Sequence, residues 1–149
     1  METNGSKNNI STGLIISNDQ LMNNPIFPQE IKAEITNAPY YLLIFIYRED
    51  VVKINCFQIQ SDSIKKILIK LTEFSPDVVK GISTALRDLK LSKDIIHTTG
   101  LCYEMEECFY ETYVSADAFA SESLTESIKK NFSSISKVIS VSIEDVLHS

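Results

Sequence analysis

His97, Cys102 and Cys108 are the residues whose types could support metal or thiol chemistry, since an imidazole and two thiols are soft ligands and a thiol beside a base can act as a nucleophile. Their spacing argues against both. Residues 97 and 102 are an odd number apart, and side chains alternate faces along a strand, so the two point to opposite sides. No fourth ligand and no glycine-rich oxyanion loop accompanies them, so neither a metal nor a catalytic residue is expected, and the chain reads as non-enzymatic without a cofactor. A turn centred on Met105 would place Cys102 directly opposite Cys108, which leaves a redox-switched cross-strand disulfide open beside two reduced thiols, the commoner state in a reducing cytosol. Glu104, Glu106, Glu107 and Glu111 carry enough charge for a divalent cation, but their loop is short and acids at turns are normally solvated.

A ligand groove is expected elsewhere. Gly100, inside Thr98-Thr99-Gly100, marks a bulge or a close approach to the backbone. With the turn at Ser75-Pro76 it defines a candidate ligand-binding set of Glu73, Ser75, Pro76, Asp77, Thr98, Thr99 and Gly100.

Positioning these residues requires a folded domain, and the 149-residue chain is long enough for one. It is 44% hydrophobic and carries 14 basic against 20 acidic side chains, a net charge of −6 that disfavours phosphate-rich partners, so nucleic acid is not expected. No apolar run reaches the ~20 residues that span a bilayer, and Met1 to Asn9 lack the layout of a secretory signal. The expectation is a cytoplasmic protein that does not bind membranes. The three cysteines are too few and odd in number for a secreted disulfide framework.

Residues 1–38 are rich in Asn, Ser and Thr and read as a flexible arm, apart from a short strand around Gly13 to Ser17. Residues 39–149 read as a single α+β domain. Tyr40 to Tyr47 is an eight-residue apolar run that predicts a buried strand, paired as a hairpin with Val51 to Gln60 and bulged near Cys56. Ile67, Ile69 and Leu71 share one face of a strand, although Ile64, Ile67, Leu68 and Leu71 also fit helical spacing. Ser75 and Pro76 form a helix start, with Val78, Val79, Ile82, Ala85, Leu86 and Leu89 as the apolar stripe of a helix to about Lys90. Strands Asp94 to Tyr103 and Glu107 to Ser115 follow, then a helix opened by the capping box Ser123 to Glu126, and a last strand at Val138 to Ile143. The order from Ile64 is β-α-β-β-α-β, which predicts a ferredoxin-like βαββαβ antiparallel sheet with two helices on one face, preceded by an extra β-hairpin.

Over residues 64–147 the chain resembles the ACT family of small regulatory domains, with Lys70-Leu71-Thr72-Glu73-Phe74-Ser75-Pro76-Asp77-Val78-Val79 where that family turns from its first strand into its first helix. The resemblance implies a regulatory or sensory module that dimerises and binds a small metabolite such as an amino acid. Family members commonly carry a glycine after the proline of that turn; here Asp77 stands instead, adding a side chain and a negative charge.

Gly81 sits inside the first long helix at a cost of about 1 kcal/mol relative to Ala, which close packing against the sheet or a second copy would offset. The apolar run 40–47 likewise needs cover from the arm or a second subunit, so a homodimer is expected. The rival reading is a longin-like or roadblock-like protein-interaction scaffold, with a small GTPase as an example of a protein partner. It requires a helix at 62–73 where the first reading requires a strand.

Overall fold

The computed structural model describes residues 10–35, 37–103, 107–119 and 122–149. The turn residues Glu104, Met105 and Glu106, and the arm residues Met1 to Asn9, lie outside them.

Residues 40–47 are apolar at consecutive positions because the strand they open, β2 (Tyr40–Arg48), is buried on both faces over its first half: Tyr41 and Leu43 on one side, Leu42 and Ile44 on the other. It pairs antiparallel with β1 (Ser11–Ser17) on one side and β3 (Val51–Ile59) on the other. The short β8 (Leu147–His148) lies parallel to β1, completing a four-stranded sheet in the order β3-β2-β1-β8. The β2–β3 register is continuous from Arg48↔Val51 to Tyr40↔Ile59, so the bulge expected near Cys56 is absent.

The segment read as an arm is therefore structured from Ser11 onward. After β1, Ser17 caps α1 (Asn18–Met22) in a reciprocal box: its hydroxyl accepts from the Gln20 amide at 3.1 Å, and its own amide donates to Gln20 Oε1 at 2.8 Å. α2 (Gln29–Glu34) follows Pro28. Leu21, Ile16, Ala38, Tyr41 and Leu43 form a small core, with Phe27 and Ile35 packed on it. The apolar run 40–47 is thus covered on this side by residues of its own chain.

A second four-stranded sheet contains β4 (Ile64–Leu71), β5 (Ile95–Tyr103), β6 (Glu107–Ser115) and β7 (Val138–Asp145), in the order β5-β6-β4-β7 and antiparallel throughout. Residues 64–71 are a strand, and the helix that the scaffold reading needs at 62–73 does not form. Tertiary pairing decides the ambiguity, because β4 is hydrogen-bonded on both edges, to β6 and to β7. Between β4 and β5 runs α3 (Pro76–Asp88), whose N-cap Ser75 accepts from the Val78 amide at 3.3 Å with Pro76 in the first turn. Between β6 and β7 runs α4 (Glu122–Ser133), which starts one residue before the expected box, so that Ser123 lies in its first turn.

These findings correct the expected fold class. Among the described residues there are eight strands in two sheets and four α-helices, not one ferredoxin-like βαββαβ sheet with two helices and an added hairpin. The reason is long-range: β1 and β8, at opposite ends of the chain, join the expected hairpin and turn it into a sheet of its own. The residues expected to be one domain from 39 to 149 divide between two compact units, one comprising Ser63–Asp145 with Ile10, the other Ser11–Asp62 with Val146–Ser149.

In the larger unit one face of the sheet presents Ile67, Ile69, Leu71, Cys108, Tyr110 and Val114 to Val78, Ile82 and Leu86 of α3 and to Ile128 and Phe132 of α4. A Cβ on Gly81 would lie 3.3 Å from Ile135 Cγ2, so the close packing that this glycine permits is within the chain. The opposite face is unusual. Phe109, Tyr113, Lys66 and Glu111 are all buried on it. Lys66 Nζ is 3.3 Å from Glu111 Oε2 and 5.7 Å from the centre of the Tyr113 ring, and the Ile10 amide donates to the same carboxylate oxygen.

Removing one partner of a buried pair leaves an uncompensated charge. Lys66→Met is expected to lower stability by about 3–5 kcal/mol, and Lys66→Met with Glu111→Leu to recover most of that loss, in urea unfolding followed by circular dichroism. A double variant as unstable as the single one would show that the charge pair is not what the site requires.

Candidate functional site

The residues expected to form a ligand groove are distributed by the fold over three surroundings. Ser75 is occupied by its capping bond, and Asp77 is exposed in the first turn of α3, where a carboxylate complements the helix dipole. Pro76 is exposed beside it. Glu73 reaches Lys137, with Oε1 to Nζ at 3.7 Å, while the Thr72 amide donates to the Lys137 carbonyl at 2.9 Å.

Thr98 and Gly100 share the helix-side face of β5, where they pair with Thr112 and Tyr110; Thr99 is on the other face. Thr98 Oγ1 is 3.0 Å from the Thr112 hydroxyl, and Thr99 Oγ1 is 3.0 Å from His97 Nε2. The glycine has a steric cause. A Cβ at position 100 would lie 2.5 Å from the tip of the Phe74 ring, which also stands 6.2 Å from the Tyr110 ring. Phe74 therefore fills the space in which a ligand was expected between the turn and β5. Burial lifts the Tyr110 phenol above its usual range, partly offset by its hydrogen bond to Thr98.

The thiol question left open by the sequence is answered by the hairpin. Cys102 and Cys108 are register partners with Cα atoms 3.9 Å apart, and they are disulfide-bonded. The acidic set does not converge on a cation: Glu107 pairs with Lys70 at 3.4 Å and Glu111 is buried against Lys66, while Glu104 and Glu106 lie outside the described residues.

A concave site lies elsewhere on the same unit. The C-terminal end of α3, the short 3-10 turn Ser92–Asp94, Asp117 and the first two turns of α4 border an open cleft of about 680 Å³. This is within the range of small-molecule sites. Leu89, Leu91 and Leu124 supply apolar wall, Lys90 and Lys93 positive charge, Asp88, Asp94 and Asp117 negative charge, and Ser123 and Ser127 hydroxyls. Lys90 holds a left-handed backbone, φ 61°, just after α3, where the Leu91 amide closes onto the Leu86 carbonyl at 2.9 Å. Glycine takes that conformation without the cost that a lysine bears. Sequence reasoning missed the cleft because its walls come from three separated segments. The available signal was a lysine where a helix C-terminus ordinarily takes glycine.

Two outcomes test this geometry. Gly100→Ala is expected to cost about 1–3 kcal/mol by overpacking, and clearly less in a Phe74→Ala background; equal costs in both would remove Phe74 as the cause. Burial holds the His97 imidazole below its ordinary 6.5. Between the folded and unfolded values the unfolded chain binds a proton that the folded chain does not, so this contribution to stability is present above 6.5 and falls as pH drops through it. The urea midpoint should therefore fall more steeply between about pH 8 and about pH 5 for the wild type than for His97→Gln.

Among the described residues no helix is long and apolar enough to cross a membrane. Compared with known proteins, the chain matches no family model and no curated sequence.

Proposed function

We propose that this protein is a non-enzymatic, ligand-binding regulatory module whose effector is a small zwitterion of the free amino acid class, held in the cleft between α3 and α4. The strained lysine at its rim carries the reading. Lys90 stands at φ 61°, where glycine would be cheaper, and it lines a charged concavity on this unit.

The surroundings suit such a ligand. Lys90 and Lys93 offer partners to a carboxylate, while Asp94 and Asp117 offer partners to an ammonium. Leu91 and Leu124 provide apolar wall for a short side chain. This agrees with the kind of effector that the ACT-like resemblance implies, at a different place from the turn at Glu73 to Asp77. The strand at residues 64–71 favours this reading over the scaffold alternative, which called for a helix there.

Thermal unfolding with a panel of free amino acids, and with the matching amines and carboxylic acids as controls, tests the proposal. A binding amino acid at a hundredfold excess over its Kd should stabilise the protein by about 2.7 kcal/mol, and neither half-ligand should match it. Lys90→Gly should raise the stability of the free protein by about 1 kcal/mol and abolish the ligand shift. If no amino acid shifts the midpoint, or if Lys90→Gly binds as well as the wild type, the assignment is wrong.

A further inference from the structure

Two sheets have four edges, and an edge strand presents unpaired amides and carbonyls to any extended chain that reaches it. Three of the four are protected. β8 is two residues long; β5 has a register shift between Ile95 and His97 and is tied by its disulfide to β6; β7 pairs with β4 through a register shift and ends in Glu144 and Asp145. The fourth edge, β3, is nine residues long, has no proline and keeps an unbroken register along β2.

It is also where exposed apolar side chains gather. Tyr47, Val52 and Ile54 lie on one face of the β2–β3 ribbon and are 67%, 56% and 45% exposed, and Val51, on the other face, is 57% exposed. Exposed apolar side chains grouped on one face are a common mark of an interaction surface.

We infer that β3 is the contact between two copies of this chain, paired antiparallel about a two-fold axis at Asn55 so that the two sheets become one of eight strands. Charge leaves this edge open to a second copy. Each chain carries a net charge of −6 and repels its like over most approaches, yet Val51–Ile59 holds a single charged residue, and it is the basic Lys53. The axis at Asn55 is the one that pairs all nine residues. It sets Val51 opposite Ile59, Lys53 opposite Phe57 and Ile54 opposite Cys56, so no like charges face each other and each lysine stem lies along a phenyl ring. A two-fold axis perpendicular to the sheet keeps Val52 and Ile54 of both copies on one face, joining two patches into a strip.

Light scattering and chemical cross-linking of the full chain test this. The wild type is expected at twice the chain mass, and Ile54→Lys, which changes an exposed position, at the monomer mass with an unchanged circular dichroism spectrum. Cys56 is free and exposed, and the register places it diagonal to its symmetry mate, so a short bismaleimide should join wild-type chains and leave Cys56→Ser unjoined. A wild type that stays monomeric at its highest soluble concentration overturns the inference, as does an Ile54→Lys variant that remains dimeric. A dimer that the bismaleimide does not join overturns the register. None of these outcomes depends on the cleft having a ligand.

Discussion

Lys66 and Glu111 constrain the larger unit, because two buried charges must meet whenever the strands that carry them pair. In the observed register Lys66 faces Tyr113 and Leu68 faces Glu111, which sets ammonium and carboxylate diagonally across β4 and β6 at 3.3 Å. A slip of one residue would turn Lys66 toward the apolar face packed by Val78, Ile82 and Phe132. The same slip would carry Ile67, Ile69 and Leu71 off the helix-side core, so the apolar pattern and the charge pair specify one register together. Its value lies in register more than in net stability, since a well-packed apolar pair could fill the same space.

Once that register is set, the rest of the unit follows from where the strands end. The helix-side residues of β4 and β6 receive α3 and α4, and Gly100 comes to lie under Phe74, closing the space beside the Ser75 turn. The chain reversal after α3 falls where the beginning of α4 passes, and this juxtaposition creates the cleft. The contrast between the two places is instructive. At Gly100 a glycine is required so that an aromatic ring can pack, a structural demand met in the cheapest way. At Lys90, as at Glu49 and Lys137, a left-handed backbone that glycine would satisfy is held by a larger residue.

β3 shows a related economy at the level of edges. The larger sheet guards its outer strands with register shifts, a disulfide and terminal acids, while the smaller sheet leaves its longest outer strand regular and nearly neutral. A fold that needed only solubility would treat all its edges alike.

Much of this was legible in the sequence wherever a feature depends on neighbours a few residues away. The cap at Ser75 with Pro76, the apolar stripe of α3, and the hairpin that sets Cys102 against Cys108 follow from local dihedral preferences and side-chain periodicity. Tyr40 to Tyr47 announced a buried strand, though not that its burial would end after Ile44 or what would bury it. Tertiary structure alone decided the rest. That β1 and β8 join the β2–β3 hairpin, that 64–71 is extended although its spacing also suits a helix, that Glu111 leaves the acidic turn to meet Lys66, and that three segments enclose a cleft are all pairings across tens of residues. Periodicity records which face of an element is apolar; it carries no record of which distant element that face will meet, because many partners satisfy the same alternation and only the packed whole distinguishes among them.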